Sequence, residues 1–276
     1  MGTKGRGMIA ATNVIEKYER RADAVNSLVC VGLDSVVEQM PERFRAEAEP
    51  QFAFNRWIIE QTHPFVSAYK PNIAFYEARG DQGLRELKHT VDTLREQHPD
   101  ILIICDAKRG DIDSTSVGYA REIFDWLGCD AVTLNPYQGK AALEPFLSRA
   151  DKGCIILCRT SNPGAGEFQD LRVGDKPLWQ VVAENVARDW NGLGNCLLVV
   201  GATQPDELRQ VRALVGAMTI LVPGVGTQGG SVEEAVSAGK NAQGKGLIIN
   251  ASRSVIFAAD PAGEAQKLRD EINRWR

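Results

Sequence analysis

Two rhythms of apolar residues alternate along the chain. Short apolar runs with few or no polar interruptions occur at 28–33, 65–69, 101–105, 131–134, 153–158, 196–200, 219–222 and 247–250. Runs of this kind are the signature of parallel strands buried on both faces. Between them, apolar positions follow the helical period. The segment 13–25 places Val14, Ile15, Tyr18 and Ala22 on one face, and another helical region carries Phe52, Phe54, Trp57, Ile58 and Ile59. A third helical stretch covers roughly 73–97, interrupted at Gly80 and Gly83, and Pro71 stops the second strand just before it. After the third strand, Ser114 or Ser116 is placed to cap a helix with an apolar face of Val117, Ala120, Ile123, Phe124 and Leu127. Further helices are predicted at 178–190, 205–215 and 231–238, and a last one ends near Trp275.

Short strands each followed by a helix predict a closed parallel α/β barrel, the (β/α)8 TIM fold. An open doubly wound sheet is the competing arrangement, but no GxGxxG follows the first strand. The length of 276 residues suits one such barrel. The whole chain is therefore expected to be a single domain, with barrel strands from about 28 to 250 behind an N-terminal helical extension. In a barrel every strand's C-terminal end opens on one mouth. Asp34, Lys70, Asp106, Lys108, Ser161, Gln228 and Arg253, all at or just past strand ends, should therefore converge from distant places in the sequence.

Composition narrows the partners. A chain 43% apolar and 25% charged is an ordinary globular composition, and a net charge of −4 leaves no basic field for nucleic acid. No apolar run approaches the roughly 20 residues that span a bilayer, and the first residues lack the apolar core of a signal peptide, so no membrane partner and a cytoplasmic location are expected. The six cysteines sit in or beside apolar runs, where reduced thiols belong. Cys154 and Cys158 are not spaced as a CxxC zinc turn, and His63, His89 and His98 have no second ligand at metal spacing, so no metal is expected.

The most charged stretch begins where the third apolar run ends, with Asp106, Lys108, Arg109, Asp111 and Asp113 in quick succession. Strand alternation points Ile104, Asp106 and Lys108 to one side, which aims a carboxylate and an ammonium together at the mouth. Carboxylates beside a lysine hold it protonated, an acid rather than a Schiff-base nucleophile, and a cation in a dry site stabilises charge developing on carbon. After the seventh strand, 223–230 reads PGVGTQGG, whose glycines let backbone N–H groups approach an anion. Barrels often place a phosphate at the loops after strands seven and eight, and Arg253 would add a bidentate partner. A lid hinge without phosphate is the plainer alternative for that loop. The residues alone thus suggest proton donation or abstraction at a carbon of a phosphorylated small molecule.

DAKRGDI at 106–112 followed by Thr115 resembles the DxKxxDI signature of the orotidine 5'-phosphate decarboxylase family, and PGVGTQGG is similar to its phosphate-loop motif. LDS at 33–35, KPN at 70–72, TSNPG at 160–164 and SRS at 252–254 fall in the same order and loops, so the resemblance runs from about 28 to 257. The loop after TSNPG and the helix before the first strand are similar to the larger bacterial branch of the family.

The resemblance implies cofactor-independent decarboxylation of orotidine 5'-phosphate to uridine 5'-phosphate in pyrimidine biosynthesis. It implies that Asp34 and Lys70 hold the ribose hydroxyls and that Asp106, Lys108 and Asp111 form the charged array, with Lys108 protonating C6. Asp111 and Thr115 would reach the neighbouring subunit's site in a homodimer with shared sites. Ser161 would meet the pyrimidine edge, Pro223 would line its pocket, Gln228 would bridge base and phosphate, and Arg253 with Gly224, Gly226 and Gly229 would hold the phosphate. The rival readings are a magnesium-dependent sugar-phosphate decarboxylase or aldolase on the same barrel, and a non-catalytic nucleotide-binding barrel.

Overall fold

The computed structural model describes residues 13–225 and 229–276. Eight parallel strands close on themselves: β1 (Val29–Gly32), β2 (Ala68–Lys70), β3 (Leu102–Arg109), β4 (Ala131–Leu134), β5 (Gly153–Arg159), β6 (Cys196–Val200), β7 (Ile220–Pro223) and β8 (Leu247–Ala251). Each pairs with the next, and β8 returns to β1 through the register Val29↔Ile249. The expected α/β barrel is therefore the fold. Its interior and the strand–helix interface are filled by fully buried aliphatic residues, among them Val31, Ile104, Val132, Ile155, Leu198 and Ile249. All six cysteines are buried and free.

The floor of the barrel, at the N-terminal ends of the strands, is closed by the helix Val14–Ala24. Asn13 caps it by accepting from the Ile15 N–H at 2.8 Å. The Tyr18 hydroxyl then donates to the Leu247 carbonyl at 2.5 Å, and Lys17 pairs with Asp130 at 2.8 Å. Those contacts tie the segment before β1 to the starts of β4 and β8.

Several elements differ from the sequence expectation. β2 begins at Ala68 because His63–Phe65 forms a 3-10 turn at the end of the preceding helix. β3 does not stop at Cys105 but continues to Arg109. The helix after it starts at Asp113, and neither Ser114 nor Ser116 caps it. Ser116 is instead buried in its first turns, donating to the Asp111 carbonyl at 2.5 Å. Its continuation, Arg121–Leu127, is a π-helix, and Val117 faces out while Ala120, Ile123, Phe124 and Leu127 pack inward. The segment after β5, expected as a long loop, holds a short helix, Gly166–Gln169, and an antiparallel pair of Arg172–Val173 with Lys176–Pro177. Among the described residues, no helix is long and apolar enough to cross a membrane.

Candidate active site

The site is built around an irregularity in β3. Ile104 and Cys105 pair with Ala131 and Val132, but the next partner of β4, Leu134, faces Arg109. Extra residues on β3 must therefore bulge out of the ladder, and Lys108 takes a φ of 49° to do so, a left-handed conformation that costs a side-chain-bearing residue. Thr133, buried on β4, fills the gap. Its Oγ1 accepts from the Ala107 and Lys108 N–H groups, each at 3.0 Å, and lies 2.8 Å from Asp106 Oδ1, to which it donates.

Asp106 is the hub. Lys70 Nζ, from the end of β2, reaches its Oδ2 at 3.0 Å, and Lys108 Nζ reaches its Oδ1 at 2.6 Å. Burial alone would raise the Asp106 carboxyl, yet the two ammonium groups, Lys70 first, overwhelm it and hold it well below the usual carboxylate range. Burial would likewise discharge Lys70, which is 4% exposed, but the carboxylates of Asp106 and Asp34 keep it charged and above its ordinary value. Lys108 stands half-exposed over this pair, its ammonium facing open space.

That open space is a pocket of about 310 Å³ at the mouth. The expected residues Asp34, Lys70, Asp106, Lys108, Ser161, Pro223, Gly224 and Arg253 all line it. Its inner wall is apolar, with Leu157, Val199 and Leu221 side by side. Arg253 opens the short helix after β8 and is exposed at the rim. The Ser252 side chain lies against β1: a Cβ on Gly32 would fall 1.9 Å from Ser252 Oγ and 2.9 Å from its Cβ, so a larger residue there would have to displace it. Three expected residues stand apart from the pocket. Asp111 caps its own loop by accepting from the Ile112 N–H at 2.8 Å, Thr115 is exposed on the following helix, and Gly229 lies outside the lining. Gly226 and Gln228 fall outside the described residues.

Other pocket residues carried no assigned role in the sequence reading: Asn72, Thr133, Thr160, Asn162, Asn250 and Ser252. All but Thr133 and Asn250 stand inside the quoted KPN, TSNPG and SRS motifs. The available signal for the other two was a polar residue in or at the end of an apolar barrel strand. Asn250 Oδ1 and Asp34 Oδ1 are buried without a hydrogen-bond partner, two acceptors open to a donor from a ligand. The loop carrying Ser161 is strapped by the insertion after β5: Gln169 accepts from the Thr160 N–H at 2.9 Å and donates to Thr160 Oγ1 at 2.8 Å, while Arg159 pairs with Asp170 at 3.2 Å. Among the described residues no cluster of three or more His, Cys, Asp or Glu side chains is arranged to hold a metal ion.

This arrangement can do one thing well. It presents a fixed ammonium, backed by a carboxylate that cannot easily take a proton, to a ligand whose polar groups meet Asp34, Asn250 and Arg253.

Known proteins share both sequence and shape with the chain. A bacterial relative named orotidine 5'-phosphate decarboxylase, from Cellvibrio japonicus, is 48% identical over 268 residues, covering 94% of this chain and 97% of its own. Another of the same name, from Azoarcus, is 45% identical over 91% of this chain and 95% of its own. The structure of Leishmania donovani OMP decarboxylase superposes with a TM-score of 0.86 at 40% identity, covering 95% of this chain and 98% of that one. The family profile matches residues 27–268, and on that span together with these relatives the chain belongs to the orotidine 5'-phosphate decarboxylase / HUMPS family.

Proposed function

We propose that the protein decarboxylates orotidine 5'-phosphate to uridine 5'-phosphate, a step of pyrimidine biosynthesis, with Lys108 as the acid. The observation that carries this reading is the Lys70–Asp106–Lys108 array at the rim of a pocket that also holds Arg253. As the bond from C6 to the carboxylate breaks, carbon dioxide leaves and the electron pair stays in an sp² orbital on C6. That orbital lies in the ring plane and cannot delocalise into the π system, so the uncatalysed barrier is very high and the charge must be met by fixed electrostatics. The Lys108 ammonium supplies that charge and then a proton, and solvent reprotonates the amine. Asp106, held ionised by its two lysines, would also crowd the substrate carboxylate.

Asp34 and Lys70 would take the ribose hydroxyls, Ser161 and Pro223 the pyrimidine, and Arg253 with Gly224 the phosphate, a reading supported by their lining one pocket. The remote phosphate supplies binding energy that can be spent on closing the loops around the base. A homodimer completes the site: Asp111 and Thr115, turned away from their own pocket, would reach the neighbouring subunit's. This reading is supported by Ile112, Val117 and Tyr137, 59%, 37% and 82% exposed on the adjacent loops and helices after β3 and β4, an apolar rim suited to a second copy. Cytoplasmic localisation follows from a biosynthetic role on a soluble nucleotide.

Loss of the orotidine 5'-phosphate absorbance measures the reaction directly. Lys108→Ala should abolish it in a protein that melts like the wild type, and near-normal turnover would remove lysine from the mechanism. Mixing Lys108→Ala with Asp111→Ala chains should restore part of the activity, since one site of each hybrid is then wholly native. A mixture as inactive as its components would count against shared sites.

A further inference from the structure

We infer that Thr133 is a positioning residue for the proton donor: its hydroxyl pins the bulge in β3 and thereby sets both ends of the Asp106–Lys108 pair. This inference rests on the reading of Lys108 as the acid and adds a residue to it. A hydroxyl has one hydrogen and two lone pairs. At Thr133 all three are committed, the lone pairs to the Ala107 and Lys108 N–H groups at 3.0 Å and the hydrogen to Asp106 Oδ1 at 2.8 Å. Because both lone pairs are taken by groups that can only donate, the hydrogen has one direction left, and it points at the carboxylate.

The carboxylate oxygen it meets is the same one that Lys108 Nζ holds at 2.6 Å. Thr133 therefore touches the lysine twice without contacting its side chain, at the backbone from which the side chain departs and at the oxygen where its ammonium rests. The backbone contact matters because Lys108 sits at φ 49°, a conformation that relaxes unless its surroundings hold it. The ladder cannot do so, since β4 pairs with β3 only before and after the bulge, at Cys105 and Arg109. Thr133 is 1% exposed, its hydroxyl held between β3 and β4. Valine, of the same shape, would take the acceptor from two part-buried N–H groups and let the bulge drift. Serine would keep all three bonds.

The test is steady-state kinetics on the full-length chain with orotidine 5'-phosphate, alongside binding of uridine 5'-phosphate and thermal melting. Misplacing a reacting group by about 1 Å costs roughly 100-fold, so Thr133→Val should lower kcat by about 10- to 100-fold. Affinity for uridine 5'-phosphate should change by less than about three-fold, because Lys70 pairs with the other oxygen of Asp106, Oδ2, and the phosphate contacts come from the loops after β7 and β8. Thr133→Ser should recover kcat to within about three-fold of wild type. A loss under ten-fold in the valine variant, equal losses in kcat and affinity, or a serine variant as slow as the valine one would each overturn the assignment. Should the valine variant not fold, serine and cysteine at this position carry the comparison, since a thiol is a poor acceptor. A serine variant faster than the cysteine variant then supports the role, and equal rates refute it. Wild-type protein that does not consume orotidine 5'-phosphate would defeat the underlying reading. An active enzyme that loses turnover with Lys108→Ala but keeps it with Thr133→Val defeats only this one.

Discussion

The two ends of the barrel treat polar side chains in opposite ways. On the floor they serve the backbone: Asn195 donates to the carbonyls of Leu147, Arg149 and Lys152, each at 3.1 Å, and Arg212 donates to those of Gly216, Met218, Gly239 and Gly246. Asp130 accepts both the Ile103 N–H and the Lys17 ammonium. At the mouth the side chains face each other and empty space. Two lysines share one carboxylate, and Lys108 holds a left-handed backbone. Buried acceptors without a partner occur at both ends, Asp34 and Asn250 Oδ1 in the pocket lining and Asn195 Oδ1 on the floor. The floor is arranged for the folded state alone, whereas the mouth is arranged for a ligand and accepts local cost to do it. Stability and activity should therefore separate along the barrel axis.

Substitutions at the two ends can break that division. The largest effect is expected from Arg253→Ala at the rim. Losing a charge-assisted bidentate contact is worth about 2–3 kcal/mol, so uridine 5'-phosphate should bind roughly 30- to 150-fold more weakly. Uridine, which lacks the phosphate, should bind as before, with an unchanged melt. Calorimetry with both ligands decides, and parallel losses would take the phosphate away from this end of the pocket.

Asn195→Leu is the counterpart on the floor. One buried and two part-buried carbonyls lose their donor, at about 1–3 kcal/mol in total, which lowers the melting temperature by roughly 2–10 °C while kcat and KM stay put. A rate loss there would mean that the two ends are coupled.

The smallest effect concerns His63 and His98, whose tilted rings have centroids 4.4 Å apart beside Arg21 and Asp100. Burial comes first in holding both below the usual histidine value. The neighbouring His98 and Arg21 add to it for His63, Arg21 does so for His98, and Asp100 opposes in each case. The unfolded chain therefore takes up these protons at higher pH than the folded one. Their neutral forms stabilise the fold above about pH 6.5, and that contribution is lost as the pH falls toward the depressed folded values. Between pH 7 and 5 the wild type should lose a degree or two more than His98→Gln, a small margin because both rings are partly exposed and screened. Identical slopes in a pH series of melts would show that the pair carries no strain.

Much of this division could be read from the chain before folding. Apolar runs with few or no polar interruptions marked all eight strands, because parallel barrel strands are buried on both faces, and polar or ionic residues after them marked the mouth. Asp34, Lys70, Asp106 and Arg253 are found where that logic puts them. Simple alternation also put Asp106 and Lys108 on one side, but the structure reaches that result through a bulge, which alternation cannot foresee. Thr133 gave only a faint signal for a related reason. A threonine in AVTL is a polar residue in an apolar strand, but it has good strand propensity and its role depends on the opposing strand's register. The clasp of Gln169 on Thr160 was hidden as well, because it depends on how the short helix Gly166–Gln169 folds back on the start of its own connection. Ser116 resembled a cap by composition but is buried inside its helix, a matter of where tertiary packing starts the first turn.

The φ of Lys108 sets two selective pressures against each other. Glycine alone occupies that part of conformational space freely, and glycine has no amine. A population of variants sorted only for resistance to heat would be drawn toward glycine at this position. On the proposed reading the proton donor is thus also a residue that folding, left to itself, has reason to replace.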